Sequence, residues 1–363
     1  MKALLIGGGG PTGPYIVDGL RQRGYQVTVL NRGVHPVDLP SDVERIVGDP
    51  HFPEPLAAAI GMRQFDLVVA SYGRLATIAK VLAGKAGRFI GVGGFVGYRG
   101  FYTPESTYPR GLPIPVPESA QMVTDPGEHK FAALVASAET EVFRHHPDAT
   151  LFRYPYVYGP RQLVPREWSI VRRVLDGRRS IVLINGGMGL LMHGYAENVA
   201  HSVMLAVDQP AVSAGRIYNC GDEVQLDLRQ FVEVAGRALG VELEIASVPD
   251  TPATRTAALA PLTDHKLMDL HAIRSELGYR DVVPTVEAVE RTVRYYADHP
   301  LARNGEIEQR MLDVFDYDAE DRLIEFSREF VARVAAVEVK RQDDAHPYAH
   351  PKVAGTERDH RGR

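Results

Sequence analysis

Lys2-Ala3-Leu4-Leu5-Ile6, running directly into Gly7-Gly8-Gly9-Gly10-Pro11-Thr12-Gly13, is the stretch whose reading decides the fold. The apolar run reads as a strand, and apolar residues resume at helical spacing at Tyr15, Ile16 and Leu20. Strand, tight turn and helix in that order outline a dinucleotide site. The glycines have separate tasks: Gly7 lets the chain turn sharply, Gly10 lets the backbone approach a pyrophosphate, and Gly13 lets the helix close on the strand. Behind them the helix N-terminus offers free N–H groups and the positive end of its dipole. Gly7, Gly10, Pro11, Thr12 and Gly13 are therefore the expected cofactor contacts.

The second strand, Tyr25 to Leu30, ends at Asn31-Arg32-Gly33. An acidic residue at this point would accept hydrogen bonds from the ribose hydroxyls of NAD and repel a 2′-phosphate, whereas arginine attracts that phosphate. Asn31 and Arg32 thus favour NADP(H), with NAD(H) as the other option. Further strands follow at Val43 to Val47, closed by Gly48-Asp49-Pro50, at Phe65 to Ala70 and at Arg88 to Val92. Helices are expected between them, over Phe52 to Ile60 and Leu75 to Ala83. This alternation defines an α/β protein with a Rossmann-like, doubly wound parallel sheet.

The chain has 363 residues, 45% hydrophobic and 24% charged, with a net charge of -5 and a pI near 6.2. That is ample for a sizeable core and gives no electrostatic reason to expect nucleic acid. Cys220, the single cysteine, has no internal disulfide partner and reads as a small core residue. No stretch approaches the roughly eighteen apolar residues of a membrane span. The expectation is a cytoplasmic protein that acts on a small molecule, with no membrane or nucleic-acid partner.

The combination of Gly7-x-x-Gly10-x-x-Gly13, Gly48-Asp49, the strand at 88 to 92 and Arg153-Tyr154-Pro155-Tyr156-Val157-Tyr158-Gly159-Pro160 resembles the extended short-chain dehydrogenases/reductases, the NAD(P)-dependent epimerase/dehydratase group. Met192 to Ala200 and Ile217 to Gly221 resemble later segments of that family, so the likeness runs in order over roughly residues 1 to 300. It implies NAD(P) bound in the N-terminal domain, with Asp49 among the cofactor contacts, and a homodimer built on the helix over Gly127 to His145. It also implies catalysis by a hydroxyl residue, a tyrosine and a lysine. The tyrosine moves a proton at a substrate oxygen while the lysine lowers its pKa, because a phenol near pKa 10 needs a neighbouring cation to act as a base near neutrality.

The chain departs from that pattern. Gly93-Gly94 stand where the hydroxyl belongs, and Phe131 and Val135 stand where tyrosine and lysine belong. The literal Tyr348 to Lys352 match contains Pro351 and lies in a polar tail. Three explanations stay open. Acid/base work has moved to Tyr98, Lys130 or Tyr156, with His129 also near; or the protein is a reductase without the usual relay; or it is a catalytically silent NADP(H) sensor. The first makes it an oxidoreductase or epimerase/dehydratase-like enzyme on a small oxygenated substrate.

By this reading residues 1–160, with 190–222 returning, form the dinucleotide-binding domain, and 161–189 and 223–300 form a smaller α/β substrate domain. Residues 301–338 add a helical segment, and 339–363 form a disordered tail. Gln162 and Arg166 line the substrate pocket, Arg255 is an anion contact in a loop over 250–262, and His193 has a structural hydrogen-bonding role. His346, His350 and His360 lack metal-site spacing, so no metal is expected.

Overall fold

The structure, a computed structural model, describes residues 1–34, 39–71, 73–259, 262–340 and 353–355. The tail histidines and the Tyr348 to Lys352 match lie outside them, as do residues 260 and 261 of the expected loop. Contacts group the chain into two units, Met1–Ile324 and Glu325–Arg363.

The first half of unit 1 alternates as its sequence pattern requires: β1 (Lys2–Ile6), α1 (Gly13–Gln22), β2 (Gln26–Asn31), β3 (Glu44–Val47), α2 (Pro53–Ile60), β4 (Leu67–Ala70), α3 (Leu75–Val81), β5 (Phe89–Gly94), α4 (Pro126–His145) and β6 (Thr150–Tyr154). There follow β7 (Tyr156–Tyr158), α5 (Glu167–Leu175), β8 (Ser180–Ile184), β9 (His193–Tyr195), α6 (Ala196–Asp208), α7 (Pro210–Ser213) and β10 (Ile217–Asn219). The remainder is α8 (Leu228–Ala238), β11 (Glu244–Val248), α9 (Pro252–Ala257), α10 (His271–Glu276), α11 (Thr285–Asp298), α12 (Glu306–Arg310) and α13 (Tyr317–Ala335). The last part of α13, from Glu325, belongs to unit 2.

Seven strands form one sheet in the order β10-β6-β5-β4-β1-β2-β3, every neighbouring pair parallel. Successive side chains of a strand face opposite ways, and here both faces are covered. Ala3, Leu5, Val29 and Val69 enter one hydrophobic cluster, while Leu4, Ile6, Leu30 and Val68 enter the other. The leucine and isoleucine sites among them typically lose about 2–5 kcal/mol on truncation to alanine. The chain runs outward through β2 and β3, then crosses to β4 on the other side of β1. That reversal opens a crevice at the C-terminal ends of β1 and β4, where α/β sheets bind ligands.

Two smaller parallel pairs, β8 with β11 and β7 with β9, lie outside the main sheet. The run from Thr150 to Tyr158 is two strands, because Pro155 interrupts the ladder and Tyr156 turns to pair with His193. The expected loop over 250–262 contains α9, held by a capping box between Thr251 and Thr254. Residues just beyond 300 bind α5 tightly. The Trp168 indole donates to Glu308 at 2.7 Å, and the buried Arg173 pairs with Asp313 and Glu320 at 2.6 and 2.5 Å.

Candidate active site

The glycine turn fills the crevice. Gly7 has φ +107°, and a Cβ there would lie 2.7 Å from the Ser71 carbonyl oxygen beyond β4. A Cβ on Gly13 would lie 2.0 Å from the Gly8 carbonyl oxygen, so only glycine lets α1 start this close to the turn. Gly10 differs: a Cβ there meets nothing within 4 Å. The space it leaves is outside the protein's own packing. Pro11 and Thr12 precede the first turn of α1, which has no acidic residue and no side-chain cap; the Gly13 amide donates to the Gly10 carbonyl at 3.1 Å and Pro14 has no N–H, so the Tyr15 amide is the one at this end left without a hydrogen bond among the described residues.

At the end of β2 the Asn31 Oδ1 accepts from the Gly33 amide at 3.0 Å and from both Nε and Nη2 of Arg45, at 3.3 and 3.2 Å. Its Nδ2 is buried and has no partner among the described residues. A buried donor left unpaired is costly, and a ligand oxygen would satisfy it. Arg32 is exposed beside it. Asp49 directs Oδ1 to the amide and the ring Nδ1 of His51, at 2.9 and 2.6 Å, and these bonds hold its pKa below the usual carboxylate range.

The expected catalytic residues are not brought together. Tyr98 is fully buried: its hydroxyl donates to Asn219 at 2.7 Å and accepts from Arg153 at 2.6 Å. Arg153 in turn grips Glu139 through two hydrogen bonds of 2.8 and 2.7 Å. This is a buried structural network, which removes Tyr98 as a proton carrier. The Tyr156 hydroxyl is likewise spent, donating to the Val164 carbonyl and accepting from the Arg166 amide, both at 3.0 Å. Burial drives its pKa well upward, so Tyr156 anchors the 164–166 loop and is a poor base. Lys130 is exposed on α4, one residue before Phe131, where the helix has just restarted after the non-helical His129. His193 has its pKa pushed down to about 3, first by burial and then by the charge of Arg166, so the ring is neutral among Tyr156, Tyr158 and Phe231.

Gly93 is not glycine for lack of room, since a Cβ there would come no closer than 3.8 Å to any neighbour. Arg255 is not a free anion contact, because it pairs with Asp250 at 2.5 Å. Gln162 is turned back on its own loop, donating to the Val157 carbonyl and accepting from Leu163.

Sequence reading missed Tyr102 and Lys266. The Tyr102 ring stacks on His129 at 4.1 Å and stands edge-on to Phe101 and Phe131 at 4.9 and 6.4 Å. Its hydroxyl has no hydrogen bond among the described residues. Burial raises its pKa, and the charge of Arg166 pulls it partly back. The Lys266 ammonium lies over the Phe101 ring at 4.3 Å, with its pKa lowered by burial. Neither residue has a motif signature, because Tyr102 sits in an irregular loop and Lys266 is brought in from the far end of the chain by the Leu191–Lys266 bridge.

The fold is shared by solved structures of a dTDP-glucose 4,6-dehydratase, a UDP-galactose 4-epimerase and a UDP-glucuronic acid 4-epimerase. Another is the Bordetella bronchiseptica enzyme WbmH in complex with NAD+, which has a TM-score of 0.65 and 17% identity, covering 83% of this chain and 99% of that one. No family model matches the sequence. Among curated proteins, the chain is similar to YbjS of Escherichia coli (strain K12), 26% identical over 173 residues, 41% of this chain and 50% of that protein. It is also similar to a 2-alkyl-3-oxoalkanoate reductase of Stenotrophomonas maltophilia (strain K279a), 27% identical over 300 residues, 76% of this chain and 86% of that one. The chain thus spans half the length of the Escherichia coli relative.

Proposed function

We propose that the protein is an NADP(H)-dependent reductase of a carbonyl group on a small oxygenated substrate, with its acid/base chemistry moved to Tyr102. The open face of Gly10 at the head of α1 carries the dinucleotide part of this reading. The glycine turn would hold the pyrophosphate. The unpaired Asn31 Nδ2 and the Arg32 and Arg45 guanidinium groups suit a phosphorylated ribose, where an acidic residue would repel it. The reductase of Stenotrophomonas maltophilia supports the reaction type.

A reduced nicotinamide held at the glycine turn would supply the hydride for the carbonyl carbon. Tyr102 supplies the proton to the carbonyl oxygen as the C=O π bond opens. A phenol with a raised pKa stays protonated at neutral pH and is therefore suited to donate. The nearby Arg166 charge steadies the phenolate, and solvent restores the proton, since Tyr102 is 42% exposed. His129 and Phe101 fix the ring by packing. The exposed Phe131 and Leu134 on α4 are the surface through which we propose a homodimer, and a cytoplasmic location goes with the same reading.

Titration with NADPH and NADH, followed by a carbonyl-substrate screen, tests the proposal. NADPH should bind more tightly, and Arg32→Asp should weaken NADPH about tenfold or more while changing NADH little. An equal effect on both cofactors would sink the 2′-phosphate assignment. Tight NADPH binding without turnover of any carbonyl would favour a silent sensor.

A further inference from the structure

Several tyrosines of this chain are held by their hydroxyls. Tyr98 donates to Asn219 at 2.7 Å, Tyr154 to the Val199 carbonyl at 3.2 Å, Tyr158 to Asp222 at 2.8 Å and Tyr296 to the Gly159 carbonyl at 3.2 Å. Tyr102 is held differently: its hydroxyl makes no hydrogen bond among the described residues, and it belongs to the irregular loop between β5 and α4. A phenol left open for a ligand in such a loop needs its ring fixed from elsewhere.

The start of α4 supplies that support. The Glu128 carboxylate accepts from Arg99 Nε at 3.0 Å through Oε2 and at 3.3 Å through Oε1. Its Oε1 also accepts from the Ser106 hydroxyl at 2.9 Å and from the Thr103 hydroxyl at 3.4 Å. One side chain, 18% exposed, thus ties down the loop on both sides of Tyr102 in the sequence. Bonds to an ionised carboxylate are the stronger kind, and shielding from water strengthens them further.

His129, the next residue, carries the hold to the ring itself. Its backbone leaves the helical conformation, with φ -160° and ψ 108°, and its imidazole lies flat on the Tyr102 ring at 4.1 Å with 11° between the planes. The imidazole is pinned in turn, because its Nδ1 accepts from the Ala132 amide at 3.2 Å. Phe101 meets the Tyr102 ring edge-on at 4.9 Å.

We propose that Glu128 is a positioning residue for Tyr102: its carboxylate fixes the loop, His129 fixes the ring, and the phenol is kept free to meet the substrate oxygen. The inference rests on the reductase reading and adds to it a residue that acts only through Tyr102. A reacting group held in place before substrate arrives loses little freedom at the chemical step, whereas a small misplacement is costly.

Fluorine NMR of the full chain labelled with 3-fluorotyrosine tests the hold, with Tyr102→Phe assigning the Tyr102 resonance by its loss. NADPH oxidation with 4-nitrobenzaldehyde as the carbonyl probe tests its consequence. Glu128→Ala should move the Tyr102 resonance toward that of the free amino acid, lower kcat about tenfold to a hundredfold and leave the KM for NADPH unchanged. Glu128→Gln keeps the shape of the side chain and can still accept from Arg99, so it should recover part of the loss. Added to Tyr102→Phe, Glu128→Ala should cost no further turnover. Glu141→Gln should change nothing, since that carboxylate pairs with Arg144 farther along α4. An unmoved resonance or an unchanged kcat in Glu128→Ala, or losses that multiply in the double variant, would overturn the positioning role and keep the reductase. A moved resonance with no turnover, or with turnover untouched by Tyr102→Phe, would remove the reductase reading and keep the hold on the ring.

Discussion

The glycine turn and the start of α4 lie at the same end of one sheet and have been treated differently. At the turn every special position is kept: Gly7 has the positive φ, Gly13 has the 2.0 Å approach to Gly8, and Gly10 has open space. At the other, Gly93, Gly94, Phe131 and Val135 stand where the resemblance places the usual proton relay, and a Cβ at Gly93 would meet no atom closer than 3.8 Å. Backbone geometry around a phosphate can be made in few ways, and it is lost with one methyl group. A proton donor can come from any nearby element that places a phenol within reach. Holding a dinucleotide and using it are therefore separable properties of this fold.

Tyr102→Phe probes the relocated half most strongly. It should lower turnover about 10²–10⁴-fold, the usual contribution of a positioned acid or base, with NADPH affinity unchanged. Unchanged turnover would return the chemistry to another group. Tyr98→Phe should act on stability instead. It leaves the buried Asn219 Oδ1 without its donor and takes one acceptor from Arg153 Nη1, which keeps the Glu118 carbonyl at 2.8 Å, a cost of about 1–3 kcal/mol in chemical denaturation. A large loss of turnover at full stability would restore Tyr98 to the mechanism.

A smaller effect is expected from Glu167, which lies next to Arg166 and has its pKa pushed up to about 7 by burial. The folded state binds this proton more tightly than the unfolded chain, whose carboxyl titrates near the ordinary value of about 4.3. Stability from this group is full below about pH 4 and is lost as pH rises to about 7. Glu167→Gln should flatten that fall, gaining about 1–3 kcal/mol at pH 8 relative to pH 4. Parallel pH profiles for the two proteins would show that the carboxyl is not held neutral.

The cofactor half was legible in the sequence because its determinants are local: a strand, three spaced glycines and a helix within a short stretch. The parallel sheet was legible for the same reason, through apolar runs separated by helical spacing. Its strand ends were less so, as the break at Pro155 and the swing of Tyr156 toward His193 show, since strand pairing is decided by tertiary neighbours. Tyr98 was misjudged because a glycine-rich segment precedes it, and nothing local shows that Arg153 and Asn219 close over its hydroxyl. Lys266 and Phe101 come from distant parts of the chain and meet only when the fold is complete. The apolar residues at 131 and 135 depart from the pattern that the resemblance implies, and no local signal points to a substitute for them.

The claim that the turn at Gly10 is built to hold a dinucleotide has a direct test in one pair of variants, with NADPH affinity and melting temperature measured on each. Gly10→Ala should keep the wild-type melting temperature and bind NADPH at least tenfold more weakly, whereas Gly13→Ala should lose both, because its new methyl group strikes the Gly8 carbonyl. If Gly10→Ala binds NADPH as tightly as wild type, the open space at Gly10 is not where the cofactor sits.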